Sequence, residues 1–320
     1  MTVNKPITQQ LFTVSPEDIK AELLAGLLAP QASISPKYLY DELGSRLFDV
    51  ITELPEYYPT RTEAAIFSRY LPEIAQYTGP FNALIDLGAG NCSKAETLFR
   101  PFAIQQYVAL DISADFLLAA LTRLQTAYPD ISMTGVGLDF SSQLQLPLSV
   151  EQRRAPRLVF YPGSSIGNFD PKAALKFLKR AHTASNGGAL IIGVDLVKPV
   201  SVLEPAYDDP LQVTAAFNRN MLRHVNRLAG TNFNLAQWRH VAFFNEQASR
   251  IEMHLQALEK VSISWPGGQR TFDKGERIHT ENSYKWRLDQ FEAVLEKAGF
   301  RSVCYWTDDQ EWFAVFAAKA

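Results

Sequence analysis

The segment that most constrains this chain is 84–96, LIDLGAGNCSKAE. An apolar run over 83–85 ends in Asp86 and opens into Gly88-Ala89-Gly90, after which the pattern turns helical. Ser93, followed three positions later by Glu96, reads as a capping box, in which the two residues satisfy orphan N–H groups at a helix start. Strand, glycine turn and helix N-terminus in this order form the opening unit of a nucleotide-binding α/β sheet. Glycines at the turn let a ligand approach the backbone closely.

A lone G-x-G also fits an ordinary tight strand-to-helix turn. Two acids favour a ligand. Asp86 stands in the turn region, and a second strand-like run at 107–110 ends in Asp111, where an acid can hold a ribose diol. The dinucleotide fingerprint has a third glycine where Ser93 stands, so an adenosine ligand without pyrophosphate fits better. S-adenosylmethionine is the obvious one, and an acid near the glycines suits its positive charge. Cys92 has no base placed beside it and reads as a small loop residue rather than a nucleophile.

Around this unit, strands and helices alternate. Residues 1 to about 15 read as a polar arm, and 16–28 as a helix ending before Pro30. In 35–58 the spacing of Leu43, Leu47, Val50 and Ile51 gives a helix face, and Tyr38, Tyr40, Tyr57 and Tyr58 read first as packing residues with wet hydroxyls. A helix begins at 60–70, and Pro72 should break or restart it. After the glycine unit come a helix over 93–102, a strand at 107–110, a helix over 114–128 and a strand near 132–138. A strand at 157–161 then runs into the loop PGSSIGNFDP. Asp170-Pro171 starts a further helix as N-cap and N1 proline. It leads to a strand at 189–195. This alternation predicts an α/β fold with a parallel sheet covered on both faces.

Past Pro199 the pattern changes. A long helix at 211–228 stops at Gly230, a half-buried strand runs over 250–263, and 269–278 is its hairpin partner across Pro266-Gly267-Gly268. A helix at 284–298 and short strands at 300–306 and 312–317 return to the sheet, as a terminal hairpin typical of methyltransferase sheets. The block from about 200 to 280 reads as an insertion that interrupts the sheet.

The 320 residues are enough for two domains. Apolar residues make up 47%, charged residues 20%, and the net charge is -3, which gives no electrostatic case for nucleic acid. No uncharged run is long enough to span a bilayer, and the N-terminus has no signal core. Two cysteines, Cys92 and Cys304, do not make a disulfide framework, so a reducing cytoplasm is expected. The histidines at 182, 224, 240, 254 and 279 show no ligand spacing, and no metal is expected. Arg219, Arg223 and Arg227 read as a solvated helix face.

Longer motifs carry a resemblance that covers nearly the whole chain: YDELGSRLFDVITELPEYYPTRTE, LIDLGAGNCSKAETL, YPGSSIGNFDP, AYDDPLQVTAAFNRNML, RIEMHLQA, HTENSYKW and YWTDDQEWFAVF. The chain resembles the histidine-specific Nα-methyltransferases of ergothioneine biosynthesis, which convert L-histidine to the betaine hercynine. The resemblance implies a Rossmann-like methyltransferase domain from 60–199 and 284–320, and a mixed α+β substrate domain from 1–59 and the insertion 200–283. For the methyl donor the resemblance implies Gly88, Lys94, Asp111, Asp139, Phe140 and Gly163. It implies Tyr40 near the methionine part and the amine, in a catalytic role with Asn168. For histidine it implies Tyr57, Asn168 and Tyr207 around the α-amino and α-carboxylate groups. Glu281 and Ser283 would hold the imidazole, with Met253 beside the ring.

Neutral imidazole has one N–H donor and one acceptor nitrogen, which a glutamate and a serine hydroxyl can match. Without the resemblance Glu281 would read as an acid at a helix N-terminus. Asn282 and Tyr284 depart from the family and would stand at the pocket edge. The expected reaction is S-adenosylmethionine-dependent trimethylation of L-histidine by a monomer, with no nucleic-acid or membrane partner. The competing readings are the same chemistry on a tryptophan-type substrate, a non-catalytic S-adenosylmethionine-binding module, and a nicotinamide dehydrogenase.

Overall fold

The structure, a computed structural model, describes residues 5–11, 14–112, 114–139, 144–151 and 154–320. Among them the strands are, in chain order, β1 (Ile7–Gln10), β2 (Ala83–Leu87), β3 (Gln106–Asp111), β4 (Ser132–Gly137), β5 (Leu158–Tyr161), β6 (Ala189–Asp195), β7 (Trp238–Asn245), β8 (Arg250–Ala257), β9 (Val261–Trp265), β10 (Gly268–Phe272), β11 (Arg277–Tyr284), β12 (Arg301–Thr307) and β13 (Phe313–Lys319). The chain divides into two compact units. One comprises Met1–Thr13, Thr62–Leu196 and Trp286–Ala320; the other comprises Val14–Arg61 and Val197–Lys285.

The first unit is built on an eight-stranded sheet in the order β1-β4-β3-β2-β5-β6-β13-β12. The pairs from β1 to β6 are parallel, and β13 and β12 close the other edge antiparallel. Strands β2, β3, β5 and β6 are apolar almost throughout and buried along their length, as a sheet covered on both faces requires. Ile66 and Ile74 of the helix Tyr58–Thr78, Phe99 and Phe102 after the glycine loop, and Leu117 and Leu121 of Ala114–Ala127 pack into one core with Leu84 and Phe160. Phe177 of the helix Pro171–Ser185 packs on Tyr161, and Phe291 of Leu288–Ala298 packs on Phe316. The chain moves outward from β2 to β3 and β4, then returns to β5 on the other side of β2. That reversal places a ligand crevice beyond the C-terminal ends of β2 and β5.

Several sequence expectations change here. The N-terminal segment is not wholly an arm: Ile7–Gln10 adds an edge strand parallel to β4, and Leu11 N–H continues the ladder to the Gly137 carbonyl. An edge strand needs backbone pairing rather than an apolar run, so ITQQ gave no signal. Pro72 does not interrupt the helix Tyr58–Thr78. The residues around it (Phe67, Tyr70, Leu71, Ile74) pack on the core, which offsets the lost hydrogen bond. The helix after the glycines covers only Ser93–Glu96 before the chain turns. The capping box does not form. Cys92 sits at the N-cap in a left-handed conformation, Asn91 Oδ1 accepts from Ser93 N–H at 3.0 Å, and Glu96 pairs with Arg123 at 3.0 Å.

In the second unit, the helix Val213–Ala229 buries Phe217, Met221 and Val225 and ends on Gly230 in a left-handed C-cap. A three-stranded antiparallel sheet, β11-β8-β7, and a hairpin, β9-β10, complete it with the helices Pro16–Leu28 and Glu42–Thr52. The single strand expected over 250–263 is two strands, β8 and β9. The partner of β8 is β11, not the segment after the Gly-Gly turn. The last helix starts at Leu288, since 284 still belongs to β11. Leu43 and Val50 are exposed, so the buried side of Glu42–Thr52 is narrower than the apolar spacing implied.

Gly188 shows how tightly β6 enters the sheet. A Cβ there would lie 2.1 Å from the Arg157 carbonyl oxygen and 2.6 Å from its nitrogen. Both atoms are fixed by ladder bonds through Ser185 and Ala189. Gly188→Ala is expected to destabilise the fold by about 3 kcal/mol, read as a lower urea midpoint at unchanged slope.

Candidate active site

On the first unit, β2 ends in a loop pinned to the end of β3. Gly88 N–H and Ala89 N–H both donate to the Leu110 carbonyl, at 2.9 and 3.0 Å. Gly88 (φ 72°) and Gly90 (φ 52°) take left-handed conformations that favour glycine. Gly90 N–H donates to Asp111 Oδ2 at 2.9 Å, and Ile112 N–H donates to Oδ1 at 2.7 Å. Asp111 is thus fixed at the mouth of the loop, half-exposed. A Cβ on Gly90 would meet nothing within 4 Å, so the loop is open to a ligand there.

Asp86 is not in the turn. It lies inside β2, 2% exposed, and accepts from the Tyr107 hydroxyl at 2.7 Å. Burial pushes its carboxyl up to about 7, against the lowering effect of that bond. It is a buried core group rather than a partner for a ligand cation. Burial, with the nearby Asp86, also pushes the Cys92 thiol up to about 12, so Cys92 is the inert loop residue expected.

The other residues expected on the donor side follow the C-terminal ends of the neighbouring strands. Lys94 Nζ pairs with Glu63 Oε2 at 2.5 Å, and the other oxygen of Glu63 accepts from Gly163 N–H at 2.7 Å. Gly163 takes φ 76°. Asn168 closes the short helix Ser165–Asn168. Ser164 anchors that helix: its hydroxyl accepts from Asp195 N–H and its carbonyl from Gly167 N–H, both at 2.8 Å. Asp139 follows β4, half-buried. Phe140 lies outside the described residues. An acid at a strand end, an open glycine loop and a lysine beside a second loop suit an adenosine bearing an amino-acid tail.

The second unit gathers the other set. Glu281, Ser283 and Lys285 fall at alternate positions and so share one face of the β11 segment. Lys285, 2% exposed, donates to Ser283 Oγ at 2.7 Å and to the Tyr207 hydroxyl at 2.9 Å. The two hydroxyls lie 2.8 Å apart, and the Lys285 ammonium lies 4.7 Å from the Tyr207 ring centre. Glu281 is 8% exposed and Met253 is its register partner on β8. Glu281 Oε2 is enclosed and has no hydrogen-bond partner among the described residues. Burial pushes this carboxyl up to about 7, against the opposing pull of Lys285.

A run of rings leads away from this cluster. Tyr207 meets Tyr57 at 6.2 Å, Tyr57 meets Phe48 at 6.1 Å, and Phe48 meets Tyr40 at 5.5 Å, all near edge-to-face. Tyr40 also packs on Phe217 at 5.5 Å. Each tyrosine has a local anchor. The next residue after Tyr40, Asp41, caps the helix Glu42–Thr52 through Gly44 N–H and accepts from Asn220 and Arg227 of Val213–Ala229. Arg61 donates to the Leu54 carbonyl at 2.7 Å and to that of Tyr57 at 3.3 Å. His240 Nε2 donates to the Tyr207 carbonyl at 2.8 Å, while its Nδ1 accepts from Asn218 at 2.9 Å. Burial lowers the pKa of His240, in keeping with this neutral, two-sided role.

Asn282 and Tyr284 do not stand at the Glu281 edge. They point to the opposite face of β11, where Asn282 accepts from His279 at 2.8 Å and the Tyr284 hydroxyl accepts from Arg250. His254 lies there too, 5.1 Å from the His279 ring, and donates to Glu252 at 3.0 Å. Among the described residues no three His, Cys, Asp or Glu side chains gather as a metal site. No helix there is long and apolar enough to cross a membrane.

Glu63, His240 and Lys285 are among the residues of these clusters that the sequence reading did not place in a site. Only Lys285 had a usable signal, as the third polar residue in an alternating series.

The sheet order with its terminal antiparallel hairpin, together with a family match over most of the chain, makes this an S-adenosylmethionine-dependent methyltransferase. A solved S-adenosylmethionine-dependent methyltransferase from Clostridium acetobutylicum shares this fold, with a TM-score of 0.50 at 12% identity over 87% of this chain and 99% of its own. The chain belongs to the family described as histidine-specific, SAM-dependent methyltransferases, whose profile it matches over residues 19–320. A histidine N-alpha-methyltransferase of Mycolicibacterium smegmatis is 39% identical over 299 residues, which cover 91% of this chain and 92% of that one. One from Mycobacterium tuberculosis is 36% identical, covering 94% and 95%. An L-tryptophan methyltransferase of Psilocybe serbica is 26% identical, covering 94% and 93%.

Proposed function

We propose that this enzyme methylates the α-amino nitrogen of L-histidine three times, giving hercynine for ergothioneine synthesis. The observation that carries the substrate choice is Glu281: a carboxyl group, nine-tenths enclosed, with one oxygen lacking a hydrogen-bond partner among the described residues, two positions from Ser283 on the same face of β11. An imidazole N–H supplies the missing donor, and the Ser283 hydroxyl can donate to the second ring nitrogen. Lys285 and the Tyr207 hydroxyl suit the α-carboxylate, and Asn168 suits the amine.

S-adenosylmethionine supplies an electrophilic methyl group on a sulfonium. Asp111 would hold the ribose hydroxyls, and Lys94 with the Gly163 loop would hold the methionine part. The protein's own work is orientation and exclusion of water, since the amine needs only a free lone pair in line with the methyl. The amine must lose a proton before each attack, and the Tyr40 hydroxyl is assigned to relay it, taking the amine's proton as it hands its own on to water. The aromatic faces of Tyr57 and Tyr207 can hold the methylated ammonium, which has lost its hydrogen-bond donors, for about 0.5–2 kcal/mol each. The reading also takes the chain to act in the cytoplasm as a monomer, and sedimentation analysis tests the second part.

The test is an endpoint assay with S-adenosylmethionine and an equimolar mixture of the twenty amino acids, read by mass spectrometry. Histidine alone should gain three methyl groups. Methylation of tryptophan instead would keep the donor and overturn the substrate.

A further inference from the structure

Glu63 has no part in the reading above, yet it touches both donor loops. It lies near the start of the helix Tyr58–Thr78, far in sequence from either loop, and is 1% exposed. Its Oε2 pairs with Lys94 at 2.5 Å, and its Oε1 accepts from Gly163 N–H at 2.7 Å. The carboxylate also lies against β6: a Cβ on Gly193 would lie 2.0 Å from Glu63 Oε1. A glycine at 193 is therefore what admits the carboxylate. A Cβ on Gly163 would in turn approach Lys94 Nζ to 3.4 Å, so the lysine and the second loop are close neighbours.

The geometry points to Glu63 as a positioning residue for the methyl donor. Lys94 follows β2 and Gly163 follows β5, the two strands that flank the reversal in sheet order. A single carboxylate that binds both sets their spacing. It also fixes a long lysine chain in one place, which otherwise would have to be ordered when a ligand binds. Lys94 keeps a side-chain exposure of 40%, so its ammonium is both oriented by Glu63 and open to a ligand anion. The chemical class it would meet is the α-carboxylate of an amino-acid tail.

This inference rests on the S-adenosylmethionine reading of the loops but not on histidine as substrate. The full chain would be titrated with S-adenosylhomocysteine by calorimetry, as wild type, Glu63→Gln, Lys94→Met and the double variant. Glutamine keeps an oxygen for Gly163 N–H but loses the ion pair. Glu63→Gln is expected to weaken binding about tenfold and Lys94→Met, which also loses the contact with the ligand anion, by more; the double variant should bind no worse than Lys94→Met alone, because Glu63 acts through the lysine. In steady state the KM for S-adenosylmethionine should rise by a similar factor, while the KM for the amine substrate at saturating donor stays within about twofold.

Binding of S-adenosylhomocysteine by Glu63→Gln within about twofold of wild type would overturn the inference. An equal rise in both KM values would also overturn it, since that marks a general structural role. Should Glu63→Gln fail to fold, Lys94→Met decides alone: unchanged binding there leaves the ion pair without a function. Wild-type protein that binds the probe but leaves histidine unmethylated would refute the proposed substrate and leave this inference standing.

Discussion

Glu281→Ala is expected to lower kcat/KM for histidine by about a hundredfold, because the imidazole N–H then enters a buried site with no acceptor. Glu281→Gln keeps an acceptor oxygen and should lose less, about tenfold, but it removes a titration. Burial holds the Glu281 carboxyl at about 7, against an ordinary value of 4.5. Between those values the folded protein binds a proton there that the unfolded chain has released. This group's contribution to stability is therefore full below 4.5 and is lost as pH rises to 7. Histidine capture runs the other way, since the ionised carboxylate is the better acceptor. The wild-type kcat/KM profile should therefore rise through an inflection near 7 that Glu281→Gln lacks, leaving only the titrations of the free substrate. Parallel profiles for the two proteins would refute this role.

Lys285→Met has the second largest expected effect, on stability and on binding together. The ammonium is the donor to both Ser283 Oγ and the Tyr207 hydroxyl, and its charge draws the Glu281 carboxyl downward. Methionine fills most of the volume but supplies neither. The two hydroxyls can still pair with each other, so the expected loss of folding stability is about 2 kcal/mol rather than more. The pH inflection assigned to Glu281 should move above 7, because the cation opposing its burial is gone. Urea unfolding and the pH profile check the two parts separately. An inflection that stays in place would show that Lys285 does not bear on Glu281.

The sheet was legible because its signals are local. The run at 107–110 is apolar on every residue and that at 84–87 on all but Asp86, and Asp170-Pro171 and Gly230 mark helix ends as caps do. What failed was context. Ser93 and Glu96 have the right spacing for a capping box, but the left-handed turn at Cys92 puts Asn91 in the capping place. Pro72 is tolerated because tertiary packing outweighs a local cost.

Glu281 and Ser283 came from the resemblance, whereas their third neighbour, Lys285, follows from the two-residue period of a strand once β11 is known to extend to 284. That same period sends Asn282 and Tyr284 to the other face, which a list of motif positions does not show. Glu63 and His240 reach their partners across about 100 and 33 residues of sequence, and no local pattern encodes such contacts.

The most direct test of the whole account is to follow a 13C-labelled methyl group from S-adenosylmethionine onto L-histidine by NMR. The account predicts one final product, with a single trimethylammonium carbon resonance coupled to the α-proton and unmethylated ring nitrogens. Label on an imidazole nitrogen would mean that the ring does not sit at Glu281 and Ser283, and would contradict the account.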